Sequence, residues 1–343
     1  MKISSRSNLI IVAIVFTFLF VSCLLVPVGT SGTLDPLDLA RQDSRFIELL
    51  GLDIHYTFSP YSGPMADHTA DRPVGREPLI LLLHGFGASS FSWRDLRQEL
   101  SRYADVIAYD RPAFGLSERP VRWKGPSPYG PENQLALAVA LMDELGYDRA
   151  IVVGHSAGGT IALSLALERP ERVAALVLVS PAAYIGGGAP AWIRPLFFLP
   201  SINHLGPLLA RRLGARADEF LRSAWFAPEL LDAEVYEGYR APLMIKNWEK
   251  ALWELTKASR SARLEKRISS IGAPSLVISG DSDTIVPIEQ SIRLARELPK
   301  ATLVVVPQSG HVAHEESPQA FLRAFEEFWS LNFSYKHTSP GVD

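Results

Sequence analysis

A chain of 343 residues with 47% hydrophobic content carries enough apolar material for one large domain with an insertion, or for two modest ones, and is neither disordered nor fibrous. Its 34 basic and 37 acidic residues leave a formal charge of −3 without a basic stripe or an acidic tail, which disfavours a nucleic-acid partner. The single cysteine, Cys23, excludes an intramolecular disulfide and a cysteine zinc cluster.

In chain order, the first feature is the uncharged run Leu9 to Val28, apolar except for Thr17, Ser22, Cys23 and Pro27, a length that suits one bilayer span. Lys2 and Arg6 precede it, and the next basic residue is Arg41, so the positive-inside bias puts the N-terminus in the cytoplasm. The expectation is a membrane anchor over residues 1–30 with the rest of the chain extracytoplasmic. The small residues Gly29-Thr30-Ser31-Gly32 leave secretion after signal cleavage as the alternative.

Phe46 to Phe58 then predicts a hairpin around Gly51-Leu52, followed by a surface loop from Pro60 to Pro78. Leu79-Ile-Leu-Leu-Leu83 is an unbroken apolar run of the kind a central parallel strand shows. Similar runs come after it at Asp105 to Tyr109, Ala150 to Val153, Val173 to Val179, Pro274 to Ser279 and Thr302 to Val306. Helical patterns at Gln134 to Leu145 and Thr160 to Glu168 lie between them, and this alternation implies parallel βαβ units. The alternation stops between Ala182 and Ile271, where helical segments carry Trp192, Trp225, Trp248 and Trp253. The pattern indicates an α/β core over residues 31–181 and 272–332, interrupted by a helical insertion at 182–271 and ended by a tail at 333–343.

Gly154-His155-Ser156-Ala157-Gly158 fits G-x-S-x-G directly after a strand and before a helix, the context in which a serine is raised on a strained turn. A serine alone is a poor nucleophile, so a base and an acid must accompany it. Ser309-Gly310-His311 stands just after the last strand, and His311 is preferred as base over His314, which belongs to a polar helix start. Gly280-Asp281-Ser282-Asp283 offers two carboxylates; Asp283 is the candidate aimed inward, and Asp281 the turn-former. An oxyanion hole needs two backbone N–H donors, assigned to Ala157 and to Phe86 in His84-Gly85-Phe86-Gly87.

Taken with Asp110-Arg-Pro-Ala-Phe-Gly-Leu-Ser117, these five blocks in order resemble the α/β-hydrolase fold family, from about Phe46 to Leu331. The resemblance implies a mostly parallel sheet flanked by helices, a helical cap, a Ser-His-Asp triad and no cofactor. The pattern is similar to membrane-bound monoacylglycerol lipases and to ring-cleavage C–C hydrolases, and departs from epoxide hydrolases and dehalogenases, which place Asp at the position of Ser156. The function expected is hydrolysis of a small-molecule or lipid ester with an apolar acyl group. The alternatives are C–C hydrolysis, cofactor-free perhydrolysis and a non-catalytic receptor on the same fold.

Overall fold

The computed structural model describes residues 22–63, 79–185 and 188–333. Eight strands form one sheet: β1 (Ser44–Leu49), β2 (Leu52–Ser59), β3 (Leu79–Leu83), β4 (Val106–Tyr109), β5 (Ala150–His155), β6 (Val173–Val179), β7 (Ser275–Gly280) and β8 (Ala301–Val306). Their spatial order is β1-β2-β4-β3-β5-β6-β7-β8. β1 and β2 are antiparallel and β2 meets β4 antiparallel, whereas every pairing from β4 through β8 is parallel. The expected hairpin turns at Leu50 (φ 54°) and Gly51 (φ 75°), two consecutive left-handed residues whose twist matches that of the flanking strands.

The apolar runs of β3 to β7 are unbroken because both faces of the sheet are covered there, whereas the edge strand β8 stays partly exposed. Leu79, Leu81 and Leu83 face one side with Leu137 and Leu141 of helix α1 (Pro131–Glu144), Leu163 of α2 (Ala157–Glu168) and a later helix at Leu294. Ile80 and Leu82 face the other, with Trp93, Leu96 and the phenylalanines 321, 325 and 328 of the C-terminal helix. All five residues of β3 are inaccessible to solvent. Burying each such leucine contributes about 1.5–3 kcal/mol.

Between β6 and β7 the described residues form no strand of the sheet. They fold into α3 (Pro200–Gly214), α4 (Ala217–Ala224), α5 (Ala233–Arg240) and α6 (Trp248–Ala258), joined by single-turn helices. Three of the four tryptophans in this stretch are buried: Trp225, Trp248 and Trp253. Trp248 donates its indole N–H to Ser31 and Trp253 donates to Asn203, so both are packing residues, while Trp192 is exposed. The chain then returns through α7 (Ile288–Glu297) and α8 (Pro318–Asn332).

The membrane-spanning expectation is corrected. Among the described residues no helix is long and apolar enough to cross a membrane. The run Leu9 to Val28 lies outside the described residues as far as residue 21; from Cys23 to Leu25 it forms a single 3-10 turn, and it continues as non-helical chain. Residues 31–34 are laid along the helical segment: Thr33 and Leu34 donate to the Met244 carbonyl, Lys246 donates to Leu34, and the Ser31 N–H and hydroxyl reach the buried carboxylate of Glu249. The apolar count took Leu9 to Val28 as one helix, whereas its described end is a single turn followed by Pro27 in non-helical chain. The placement as a single-span anchor with an extracytoplasmic domain, and the membrane partner with it, are therefore withdrawn.

One buried ionic relay ties the hairpin to the sheet. Asp110, directly after β4, accepts from His55 Nδ1 at 2.7 Å, the Ser90 N–H at 2.6 Å and the Leu116 N–H at 2.7 Å. His55 Nε2 in turn meets Ser44 Oγ at 2.9 Å on the neighbouring strand. Burial works against the Asp110 charge, yet His55 and these donors hold its carboxyl well below the ordinary range. Asp110→Ala strands one imidazole and two backbone N–H groups, and is expected to lower unfolding free energy by about 3–5 kcal/mol. A urea titration checks this; an unchanged midpoint contradicts it.

Candidate active site

β5 ends with Gly154-His155 and α2 begins at Ala157, leaving Ser156 alone in the turn with φ 50° and ψ −115°. A side chain there carries backbone strain on the order of 1–3 kcal/mol, which persists only where neighbours enforce it. The Ser156 N–H donates to the Val179 carbonyl at 2.9 Å, and the Ser156 carbonyl accepts from Gly159 at 2.9 Å and from Ala182 at 3.1 Å. Gly158 packs against the Leu83 carbonyl at the end of β3, where any Cβ would overlap it.

The loop after β3 runs beside this turn. A Cβ on Gly85 would stand 2.7 Å from His155 Nδ1 and 3.3 Å from Ser156 Cβ, so only glycine lets the loop approach. The Phe86 ring is 42% exposed and packs edge-on against Phe114 at 5.6 Å. Its backbone N–H donates to no acceptor among the described residues, and Ala157, first in α2, has no intrahelical acceptor for its own.

His311 and Asp283 come from the loops after β8 and β7. His311 Nδ1 meets Asp283 Oδ2 at 2.8 Å, both side chains buried, while Asp283 Oδ1 accepts from Ile285 and Val286 N–H at 2.9 Å each. A carboxylate held this way fixes Nδ1–H on the imidazole and leaves Nε2 to accept a proton. Ser156 Oγ makes no hydrogen bond among the described residues, so serine and pair share one sheet edge without being joined. Asp281 is exposed and bonds the Ser282 hydroxyl at 2.8 Å, which lowers its pKa, and has no contact with the pair. His314 is fully buried 4.6 Å from the His155 ring and 4.5 Å from Trp93, with neither nitrogen bonded.

Two contributors escaped the sequence pattern. His155, the variable residue of the elbow, donates Nε2–H to the His311 carbonyl at 3.0 Å and lays its ring 4.8 Å from that of His311. Glu316 accepts from three backbone N–H groups: Gly310 at 2.5 Å, Phe226 at 2.7 Å and Ala227 at 3.1 Å. His311 N–H also donates to Ala224 at 2.7 Å, so the end of α4 is fastened to the loop that carries the imidazole. The position inside G-x-S-x-G marked His155 as close to the serine; nothing in the sequence marked Glu316.

Residues 78–318 match the family described as alpha/beta hydrolase fold. The chain is 30% identical over 255 residues to the uncharacterized hydrolase YugF of Bacillus subtilis, covering 74% of this chain and 90% of that protein. It is 30% identical over 265 residues to a 2-hydroxy-6-oxo-6-phenylhexa-2,4-dienoate hydrolase of Burkholderia cepacia, covering 74% and 88%. A crystal structure of a hydrolase from Pseudomonas aeruginosa PA01 superposes with a TM-score of 0.66 at 26% identity, covering 84% of this chain and 99% of that one.

Burial keeps three imidazoles around the site neutral. It lowers His84 to about 3, aided by the Arg111 charge, lowers His314 to about 3, aided by the Arg94 charge, and holds His155 well below its ordinary value, aided by His314 and His311. Unfolded, each takes up a proton near pH 6.5. Their contribution to stability is therefore complete above about pH 6.5 and is lost as pH falls toward 3, with a slope of about 1.4 kcal/mol per pH unit for each histidine. The melting temperature is expected to be level from pH 8 to 7 and to fall steeply below about pH 6, less steeply in His314→Phe. A flat profile from pH 7 to 5 contradicts it.

Proposed function

The chain belongs to the α/β hydrolase fold family, and from that membership we propose that it is a serine hydrolase cleaving a carboxylic ester through an acyl-enzyme. The observation that carries the reading is the buried His311–Asp283 bond of 2.8 Å at the same sheet edge as a strained serine. In this mechanism His311 Nε2 takes the proton from Ser156 Oγ as Oγ bonds to the acyl carbon. The negative charge that develops on the carbonyl oxygen is received by the N–H groups of Phe86 and Ala157. Collapse breaks the bond to the alcohol, which leaves with the proton from His311. Water then repeats the attack with His311 as base, releasing the carboxylic acid and restoring Ser156. Asp283 keeps the imidazole in the required tautomer and offsets the charge of the imidazolium.

The helical segment 182–271 acts as a cap over this edge. Support for an apolar acyl group comes from Phe86 and Phe220, both partly exposed, with Phe220 4.0 Å from where a Cβ on Gly87 would stand. The buried tryptophans of the segment do not contribute to it. C–C bond hydrolysis is the second reading, favoured by the resemblance to the Burkholderia cepacia dienoate hydrolase. The same serine, base and oxyanion donors serve either bond.

A fluorophosphonate probe is expected to label the wild type and neither Ser156→Ala nor His311→Ala; equal labelling of Ser156→Ala refutes the nucleophile. Asp283→Asn should lower kcat on p-nitrophenyl esters about 10⁴-fold, as loss of the orienting carboxylate does elsewhere, while Asp281→Asn keeps most of it. Turnover of a vinylogous 1,5-diketone in preference to every ester in a chain-length series selects the second reading.

A further inference from the structure

Arg111 is a buried cation with no ion pair among the described residues. Its neighbour Asp110 is committed to His55, Ser90 and Leu116, and burial lowers the guanidinium to about 10, still charged at neutral pH. Keeping a charge out of water without a carboxylate partner is unfavourable by several kcal/mol unless other groups compensate it. The groups that do so here are the two carbonyls of the loop after β3. Arg111 Nη2 donates to His84 O at 3.0 Å and to Gly85 O at 2.9 Å.

His84 closes the same arrangement from the other side. Its Nε2 accepts the Arg111 backbone N–H at 3.1 Å, so the proton of the neutral ring sits on Nδ1, which donates to Gly85 O at 2.8 Å. The Gly85 carbonyl is thereby gripped by two donors. No cis peptide occurs among the described residues, so the Gly85–Phe86 unit is trans and its N–H points opposite to its C=O. Fixing the carbonyl toward Arg111 fixes the Phe86 N–H away from it. The loop adjoins the nucleophile, since a Cβ on Gly85 would lie 3.3 Å from Ser156 Cβ. The guanidinium also stacks on Phe114, 5.0 Å from the ring centroid, and Phe114 abuts Phe86 at 5.6 Å, so the cation is itself held in place.

We infer that Arg111 is a positioning residue for the oxyanion site: its guanidinium orients and polarises the Gly85–Phe86 peptide so that the Phe86 N–H is set for negative charge before the substrate arrives. The inference rests on the proposed acyl-enzyme chemistry. A cation bound to the oxygen end of a peptide draws electron density from the nitrogen end, strengthening the N–H as a donor, and its field favours the oxyanion directly. Arginine suits the task better than lysine because its planar guanidinium reaches both carbonyls through Nη2 while lying on the Phe114 ring, which a tetrahedral ammonium on a flexible stem does not do.

The test uses Arg111→Met and Arg111→Lys of the full chain, with p-nitrophenyl butyrate as substrate and butylboronic acid as a tetrahedral transition-state analogue. Arg111→Met is expected to lose about 10²-fold in kcat, the scale of losing one oxyanion donor, with KM within about threefold and boronate affinity falling by a factor similar to that of kcat. Arg111→Lys should lose about tenfold in both. A folded Arg111→Met, verified by circular dichroism and melting, with wild-type kcat overturns the inference. So does a loss confined to KM with boronate affinity intact. If Arg111→Met does not fold, wild-type kcat and boronate affinity in Arg111→Lys overturn it. A wild type that neither turns over the ester nor takes fluorophosphonate at Ser156 refutes the proposed function and the inference with it; a wild type that does both, beside unaffected Arg111 variants, refutes the inference alone.

Discussion

The register between β3 and β5 is the constraint on which the rest depends. Leu79 pairs with Ala150 and Leu83 with Gly154, in parallel, in the middle of the sheet. Parallel strands finish at the same edge, so this pairing brings the loop at His84 and the turn at Ser156 out side by side. A slip of one residue would turn the leucines of β3 onto the wrong faces of a sheet buried on both sides, so the packing that stabilises the core also fixes the distance between the two loops. The pairings of β6 with β7 and β7 with β8 extend the same edge to Asp283 and His311.

How much of this was legible in the chain depends on how local each cause is. Strands buried on both faces announce themselves as uninterrupted apolar runs, and all six runs expected after Pro78 are strands of the sheet, although the edge strand β8 leaves Thr302 and Val305 exposed. The turn at Ser156 was legible because its close contacts demand small residues at fixed spacing. The illegible parts join residues distant in sequence. The targets of Arg111 are backbone carbonyls more than two dozen positions earlier, and a carbonyl has no sequence signature. The run from Leu9 misled because hydropathy measures the apolar content of a segment and is blind to the single turn and non-helical chain at the end of it.

Residue types alone do not define a site. Ser44, His55 and Asp110 form a relay with distances close to those expected of a catalytic one. Ser44 Oγ, however, accepts the Arg41 N–H at 2.9 Å, and Ser44 lies in a regular strand paired with Thr57. That relay joins two strands to a loop and is fully consumed in doing so. Ser156 differs in being strained and in leaving Oγ unbonded among the described residues. Unspent bonding capacity is what separates the serine at 156 from the serine at 44.

The Glu316 carboxylate fastens the end of α4 to the His311 loop through the main-chain N–H groups of Gly310, Phe226 and Ala227, with the Ser309 hydroxyl as a further donor at 3.4 Å. Such a fastening asks nothing of the side chains at 226 and 227. Mutation at these two positions can therefore proceed without removing the bonds that hold the His311 loop. A chain built in this way can change its residues at 226 and 227 and keep its imidazole in place, and in that sense Glu316 is a device for evolvability as much as for stability.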